Sequence, residues 1–210
     1  MKSIFLTGTD TNCGKTHAAA VLMLRYPELV YWKPVQTGYP EDDDTRKVKE
    51  LTGLSCERFL NPGFTFKEPL SPHRAAELEK RTLELYELLQ MYHEYSLKYT
   101  LLMEGAGGLM VPLNRTATWL DLLKAINVPI VIAARTELGT INHSLLPTAL
   151  LRKEKLNVSG FIFCGKENQD NVKTIQDFSG VSSLGSFDMD AEKLTDAAGR
   201  IDKGGILELV

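Results

Sequence analysis

A chain of 210 residues suits one domain, 1–210, with enough length to bury a full-sized core. Its 24 Lys and Arg against 27 Asp and Glu leave a net charge of −3, which argues against nucleic acid or an anionic membrane as partner. No apolar run reaches membrane-spanning length, Met1-Lys2 leads straight into a strand, and Cys13, Cys56 and Cys164 lack any CxxC pairing, so a cytoplasmic protein with reduced thiols is expected.

Short apolar, β-rich runs fall at 3–7, 29–32, 99–103, 129–133 and 158–163, with a weaker one at 181–185. Helical patterns lie between most of them. From Thr82 onward, Leu85, Leu88, Leu89 and Tyr92 share one face, with Glu84, Glu87 and Glu94 opposite. Shorter helices are expected at 117–126 and, as a polar terminal element, at 189–203, while the Pro- and Gly-rich stretch 53–72 looks like an irregular excursion. Strands alternating with helices predict an α/β fold: a mainly parallel sheet flanked by helices on both faces, a P-loop NTPase-like three-layer sandwich. Ligands of such sheets gather at the carboxyl ends of the strands.

The residues past each strand carry the chemistry. After the first come Gly8-Thr9-Asp10-Thr11-Asn12-Cys13-Gly14-Lys15-Thr16 and then the apolar start of a helix. Strand, glycine loop and helix form the context of a phosphate-binding P-loop, although five residues rather than four separate Gly8 from Gly14-Lys15. Backbone N–H groups around Gly14 would cradle a polyphosphate, Lys15 would neutralise it, and the Thr16 hydroxyl would sit on Mg²⁺. After the second strand comes Lys33-Pro34-Val35-Gln36-Thr37-Gly38, then the acidic run Glu41 to Asp44. A strand-end lysine is ordinarily a solvated charge, but Tyr31-Trp32 and Pro34 around Lys33 favour a fixed, partly desolvated one. Asp42 to Asp44 suit a solvated loop and helix cap, and a metal-ligand role is compatible with that. After the third strand comes Glu104-Gly105-Ala106-Gly107-Gly108, which places a hard carboxylate where Mg²⁺ needs one. After the fourth comes Arg135 to His143.

Taken together, Gly8-Thr-Asp-Thr-x-x-Gly-Lys-Thr16, Lys33-Pro-Val-x-Thr-Gly38, Ser71-Pro-His73, Glu104-Gly-Ala-Gly-Gly108 and Leu138-Gly-x-Ile-Asn-His143 resemble the dethiobiotin synthetase family. The motifs occur in the family's order over nearly the whole chain. The resemblance implies an ATP-dependent cyclo-ligase of biotin biosynthesis, with 7,8-diaminononanoate, CO₂ and a Mg-nucleotide as substrates. It implies that Lys15 and Lys33 are catalytic and that Thr16, Asp44 and Glu104 hold Mg²⁺. Asn12, Cys13, Gly14, Lys15, Thr16, His17, Asp44, Glu104, Gly105, Ala106 and Gly107 would bind the nucleotide, with Cys164 and Gly165 at its base. Thr11, Lys33, Thr37 and Asn142 would contact the substrate, Asn142 from the partner subunit of a homodimer.

Some positions depart from the family pattern. Asn12-Cys13 replace a common Glu-Val, and Pro147 implies that the helix after Asn142 starts late, kinks or breaks. Cys164-Gly165 stand where Asn-Asp is common, and Asp188-Met189-Asp190 replace a Pro-containing loop. Without an amide–carboxylate pair to read the base, GTP, CTP or UTP should work within about tenfold of ATP. The rival reading is a nucleotide-driven switch of the partitioning or division-site type. Such proteins carry a signature lysine five residues before the P-loop lysine, and here that position is Asp10.

Overall fold

A computed structural model describes residues 3–201. The chain runs β1 (Ser3–Gly8), α1 (Lys15–Arg25), β2 (Leu29–Trp32), β3 (Val35–Thr37), α2 (Asp44–Thr52), β4 (Phe64–Phe66), α3 (Pro72–Leu78) and α4 (Leu85–Ser96). It continues through β5 (Thr100–Glu104), α5 (Trp119–Ile126), β6 (Ile130–Arg135), α6 (Thr140–Lys153), β7 (Val158–Cys164), α7 (Gln169–Ser179), β8 (Ser183–Phe187) and α8 (Leu194–Arg200). Six strands form one sheet in the order β2-β5-β1-β6-β7-β8, every neighbouring pair parallel.

Strand alternation sorts the side chains into two cores. Phe5, Met103, Ile132 and Phe163 turn to the face covered by Leu88 of α4, Trp119 and Leu123 of α5, Leu151 of α6 and Ile175 of α7. Ile4, Leu6, Leu102, Ala133 and Ile162 turn to the other face, against the Ala18 to Met23 stretch of α1, Val48 of α2 and Ala197 of α8. Both faces are apolar, as a parallel sheet with crossover helices requires. The three-layer expectation therefore holds, and the carboxyl ends of β1, β2 and β5 meet at one edge.

The structure corrects three local expectations. Residues 53–72 are not wholly irregular: Phe64–Phe66 pairs in parallel with Val35–Thr37, and Cys56–Arg58 forms a 3₁₀ turn. That pairing joins segments about thirty residues apart, so local composition could not show it. The terminal helix is only Leu194–Arg200, since Asp188 to Glu192 turn on their own hydrogen bonds; positions 202 and 203 of the expected helix lie outside the described residues. Finally, α6 neither starts late nor breaks. It begins at Thr140 behind Gly139 and continues through Pro147, with the Thr148 hydroxyl donating to the Ser144 carbonyl at 2.8 Å. A single proline removes one rung of a fourteen-residue helix, and packing of Ser144, Thr148 and Leu151 holds the remainder.

Candidate active site

The loop between β1 and α1 ends at Gly14, whose φ of +94° an L side chain rarely adopts. A Cβ there would also approach the Cys164 sulfur to 2.7 Å and the Met189 sulfur to 3.0 Å. Glycine is therefore demanded twice, by conformation and by space. No side chain caps the helix that follows, so the first N–H groups of α1 are available to an anion. Lys15 Nζ folds back to donate to the Asp10 carbonyl at 3.0 Å, within the loop it would leave to meet a phosphate.

Beside the loop lies a buried ionic cluster. Lys33 Nζ donates to Asp44 Oδ2 at 2.7 Å, to Glu104 Oε1 at 2.9 Å and to the Gly105 carbonyl at 3.2 Å. Thr16 Oγ1 donates to Asp44 Oδ1 at 2.8 Å, and the Tyr31 hydroxyl to Glu104 Oε2 at 3.0 Å. Lys33 is 2% exposed and Glu104 is 0% exposed, so the lysine is a desolvated charge and not a solvated strand end. Burial opposes the Lys33 charge, yet Glu104 and Asp44 outweigh it and push the ammonium pKa up. Burial also works against the Asp44 anion, but Lys33 and the Thr16 hydroxyl hold its carboxyl below the ordinary range. Glu104 moves the other way: complete burial raises its pKa despite Lys33.

Gln36, a residue that sequence reasoning missed, places Asp44. Its side chain donates to the Thr37 and Asp42 carbonyls at 2.8 and 2.7 Å and accepts from the Asp44 N–H at 3.0 Å. Asp43, not Asp44, caps α2 by accepting from the Arg46 N–H. Asp44 is thereby free to face Lys33. The signal available in the sequence was the variable position of the Lys-Pro-Val-x-Thr-Gly motif, filled here by an amide.

These elements surround a cavity of about 940 Å³. Thr11, Asn12, Gly14, Lys15, Thr16 and His17 line it from the loop and α1, with Lys33, Thr37, Asp44, Glu104, Ala106 and Gly107 opposite. Pro72 and Met189, from the Ser71-Pro-His73 and Asp188-Met189-Asp190 segments, also line it, as does Lys47, which no motif had singled out. Burial holds His17 below its ordinary pKa, so the imidazole is neutral near neutral pH. Five expected positions sit apart from the lining. Cys13 is fully buried under the loop, and Gly105 contributes its carbonyl to Lys33. Cys164 is 1% exposed and its thiol donates to the Gly14 carbonyl at 3.6 Å, so it braces the loop from behind. Gly165 follows it against Thr136. Asn142 is exposed on the first turn of α6, away from the cavity.

Thr16, Asp44 and Glu104 offer only hard oxygen donors, arranged around the Lys33 ammonium, which is the donor set Mg²⁺ prefers. Among the described residues no three or more His, Cys, Asp and Glu form a self-sufficient cage. The chemistry fits a magnesium that takes its remaining ligands from phosphate and water.

A parallel sheet with a glycine loop opening its first helix, and a lysine and two carboxylates at the adjoining strand ends, defines the P-loop nucleotide-binding class. The family described as an AAA domain matches residues 2–197. Two solved structures share the fold: the cell division ATPase MinD of Pyrococcus furiosus, at TM-score 0.61 and 13% identity over all of both chains, and a ParA family ATPase from Chlorobium tepidum TLS. The latter has a TM-score of 0.58 and 11% identity, covering 99% of this chain and 95% of its own. Sequence relatives are more particular. The ATP-dependent dethiobiotin synthetase BioD of Nitrobacter hamburgensis is 43% identical over 182 residues, 87% of this chain and 84% of that protein. The protein of the same name from Paramagnetospirillum magneticum is 38% identical over 184 residues, 88% and 86% of the two chains. The chain belongs to the ATP-dependent dethiobiotin synthetase family.

Proposed function

We propose that this chain is an ATP-dependent dethiobiotin synthetase whose reaction is carried by Lys33 and Lys15 at the mouth of β2 and the P-loop. The observation that supports the assignment of roles is the Lys33 ammonium, buried between Asp44 and Glu104 and one hydrogen bond from the P-loop Thr16 through Asp44. One amine of 7,8-diaminononanoate takes up CO₂ as a carbamate, with loss of a proton. A carbamate oxygen attacks the γ-phosphorus of ATP, and the bond to ADP breaks. The neighbouring amine then attacks the carbamoyl carbon, closing the ureido ring and releasing phosphate.

Phosphoryl transfer asks the protein mainly for position and charge. Lys15, released from the Asp10 carbonyl, neutralises the outer phosphates, and the N–H groups of α1 hold them at the helix N-terminus. Lys33 meets the charge that grows on the carbamate and the transferred phosphoryl group. Thr11 and Thr37 line the same cavity and would contact the diamine. Thr16, Asp44 and Glu104 would hold Mg²⁺, which when bound supplies charge neutralisation to the phosphate oxygens.

Two chains act together in this reading. Leu138 is 102% exposed and Leu146 61% exposed on either side of Asn142, which itself lies away from its own cavity. A homodimer would cover these leucines and carry the Gly139 to His143 segment to the partner's substrate. The absence, among the described residues, of any helix long and apolar enough to cross a membrane is compatible with the cytoplasmic reading.

The test is incubation of the protein with diaminononanoate, labelled bicarbonate, Mg²⁺ and ATP. Label in an acid-stable, non-volatile product supports the synthetase. Phosphate release that ignores the diamine and leaves no such product would replace it with a nucleotide-driven switch.

A further inference from the structure

Lys33 occupies one oxygen of the Glu104 carboxylate, and a phenol occupies the other. The Tyr31 hydroxyl donates to Oε2 at 3.0 Å while Lys33 Nζ donates to Oε1 at 2.9 Å. The two donors are two residues apart, so the pleat puts them on one face. The parallel register pairs Tyr31 with Leu102 and Trp32 with Met103, and its continuation sets Lys33 beside Glu104 with Tyr31 on the diagonal. Tyr31 is 0% exposed, its ring lies 6.1 Å from that of Phe59, and it does not line the cavity. It belongs to the apolar core that also holds Ile4, Leu6, Leu29 and Leu102, which asks for the ring but not for its hydroxyl. What the phenol adds is a hydrogen bond to a buried anion.

That bond matters because the last torsion of a glutamate is broad and two-fold, and nothing in the chain itself fixes the carboxylate plane. A buried carboxylate oxygen without a donor also weakens the charged form. We propose that Tyr31 is a positioning residue for the synthetase reaction: its phenol locks Glu104 with Oε1 turned to Lys33, the ammonium that also holds Asp44, and so sets the divalent-cation affinity of the site. The inference rests on the proposed role of Glu104 as a metal ligand.

Tyr31→Phe removes one oxygen and keeps the ring. Mn²⁺ affinity is read by electron paramagnetic resonance with a non-hydrolysable ATP analogue bound, and thermal melting checks the fold. Tyr31→Phe should bind Mn²⁺ at least about tenfold more weakly, the size expected for a hydrogen bond to a charged group. Its kcat should fall at low Mg²⁺ and recover at high Mg²⁺, with KM for the diamine within about twofold. In a Glu104→Gln background the same change should alter Mn²⁺ affinity by less than about twofold, because the phenol acts through the carboxylate. Should the Phe chain not fold, Tyr31→Met fills the slot without a hydroxyl and takes its place. Unchanged Mn²⁺ affinity in Tyr31→Phe, with Glu104→Gln impaired, overturns the role of Tyr31 alone. Normal Mn²⁺ binding by Glu104→Gln overturns the metal assignment beneath it, and this inference with it.

Discussion

Lys33 is held by two carboxylates in a site where it is 2% exposed, and this makes its contribution to stability as large as its contribution to chemistry. As a solvated strand-end lysine it could be removed with little effect on folding; as a buried counter-charge it cannot. Lys33→Ala should lower turnover by at least about 10²-fold, the loss typical of one transition-state donor. It should also reduce unfolding free energy by about 3 kcal/mol near neutral pH, since Asp44 and Glu104 are left without their cation. The pH dependence follows from the shifts. Lys33 is raised, so its share is full below the ordinary amine pKa and is lost only as pH rises through the raised value. Asp44 is lowered, so its share exists above the ordinary carboxylate pKa and vanishes as pH falls through the folded value. Urea unfolding of wild type and Lys33→Ala should therefore differ most near about pH 7 and converge as pH falls through the lowered Asp44 value. A gap that stays constant with pH would remove the ionic cluster from the account.

At the scale of elements, the cavity is made chiefly by three strand ends and one helix start, and α6 does not line the cavity of its own chain. That helix carries Pro147 in its interior, with its neighbour Thr148 bonded to the Ser144 carbonyl. The proline cannot donate to the carbonyl four residues back and crowds it. Pro147→Ala restores a donor and a better helix former, so it should stabilise the protein by about 1–3 kcal/mol. Chemical denaturation measures it; a loss of stability would mean that the pyrrolidine ring packs against something the alanine cannot replace. The activity of this variant per folded chain should be unchanged, because Thr140 begins α6 well before the proline and keeps its own bond to the Arg135 carbonyl at 2.5 Å.

For the whole molecule, the decisive property is whether one chain suffices. Asn142 and the exposed Leu138 and Leu146 lie on α6 and the turn before it, while Gly14, Lys15 and Thr16 of the P-loop line the cavity. If a site combines the P-loop of one protomer with the Asn142 segment of the other, two dead chains can repair each other. A Lys15→Ala chain mixed with an Asn142→Ala chain should form heterodimers with one wholly intact site of two. After random exchange the mixture should recover roughly a quarter of wild-type activity, because half of the dimers are mixed and each holds one good site. No recovery, or a fully active monomer in solution scattering, would confine the site to a single chain.

Much of this was written in the chain. The apolar run of Ile4, Phe5 and Leu6, the glycine loop that follows and the helical stripe of Leu85 and Leu88 are local patterns, and local patterns survive without a fold. They sufficed for the parallel sandwich and the P-loop, and together with the family resemblance they put forward Lys15, Thr16, Lys33, Asp44 and Glu104 as candidates. What the sequence could not disclose depends on contacts between distant segments. The pairing of Val35–Thr37 with Phe64–Phe66, the hold of Gln36 on Asp44, and the thiol of Cys164 bracing Gly14 across 150 positions are examples. So is the difference between a lysine in water and one sealed between carboxylates. Charge and hydrogen-bonding capacity belong to the residue, but desolvation and partnership belong to the packed sheet, and only the tertiary structure decides them.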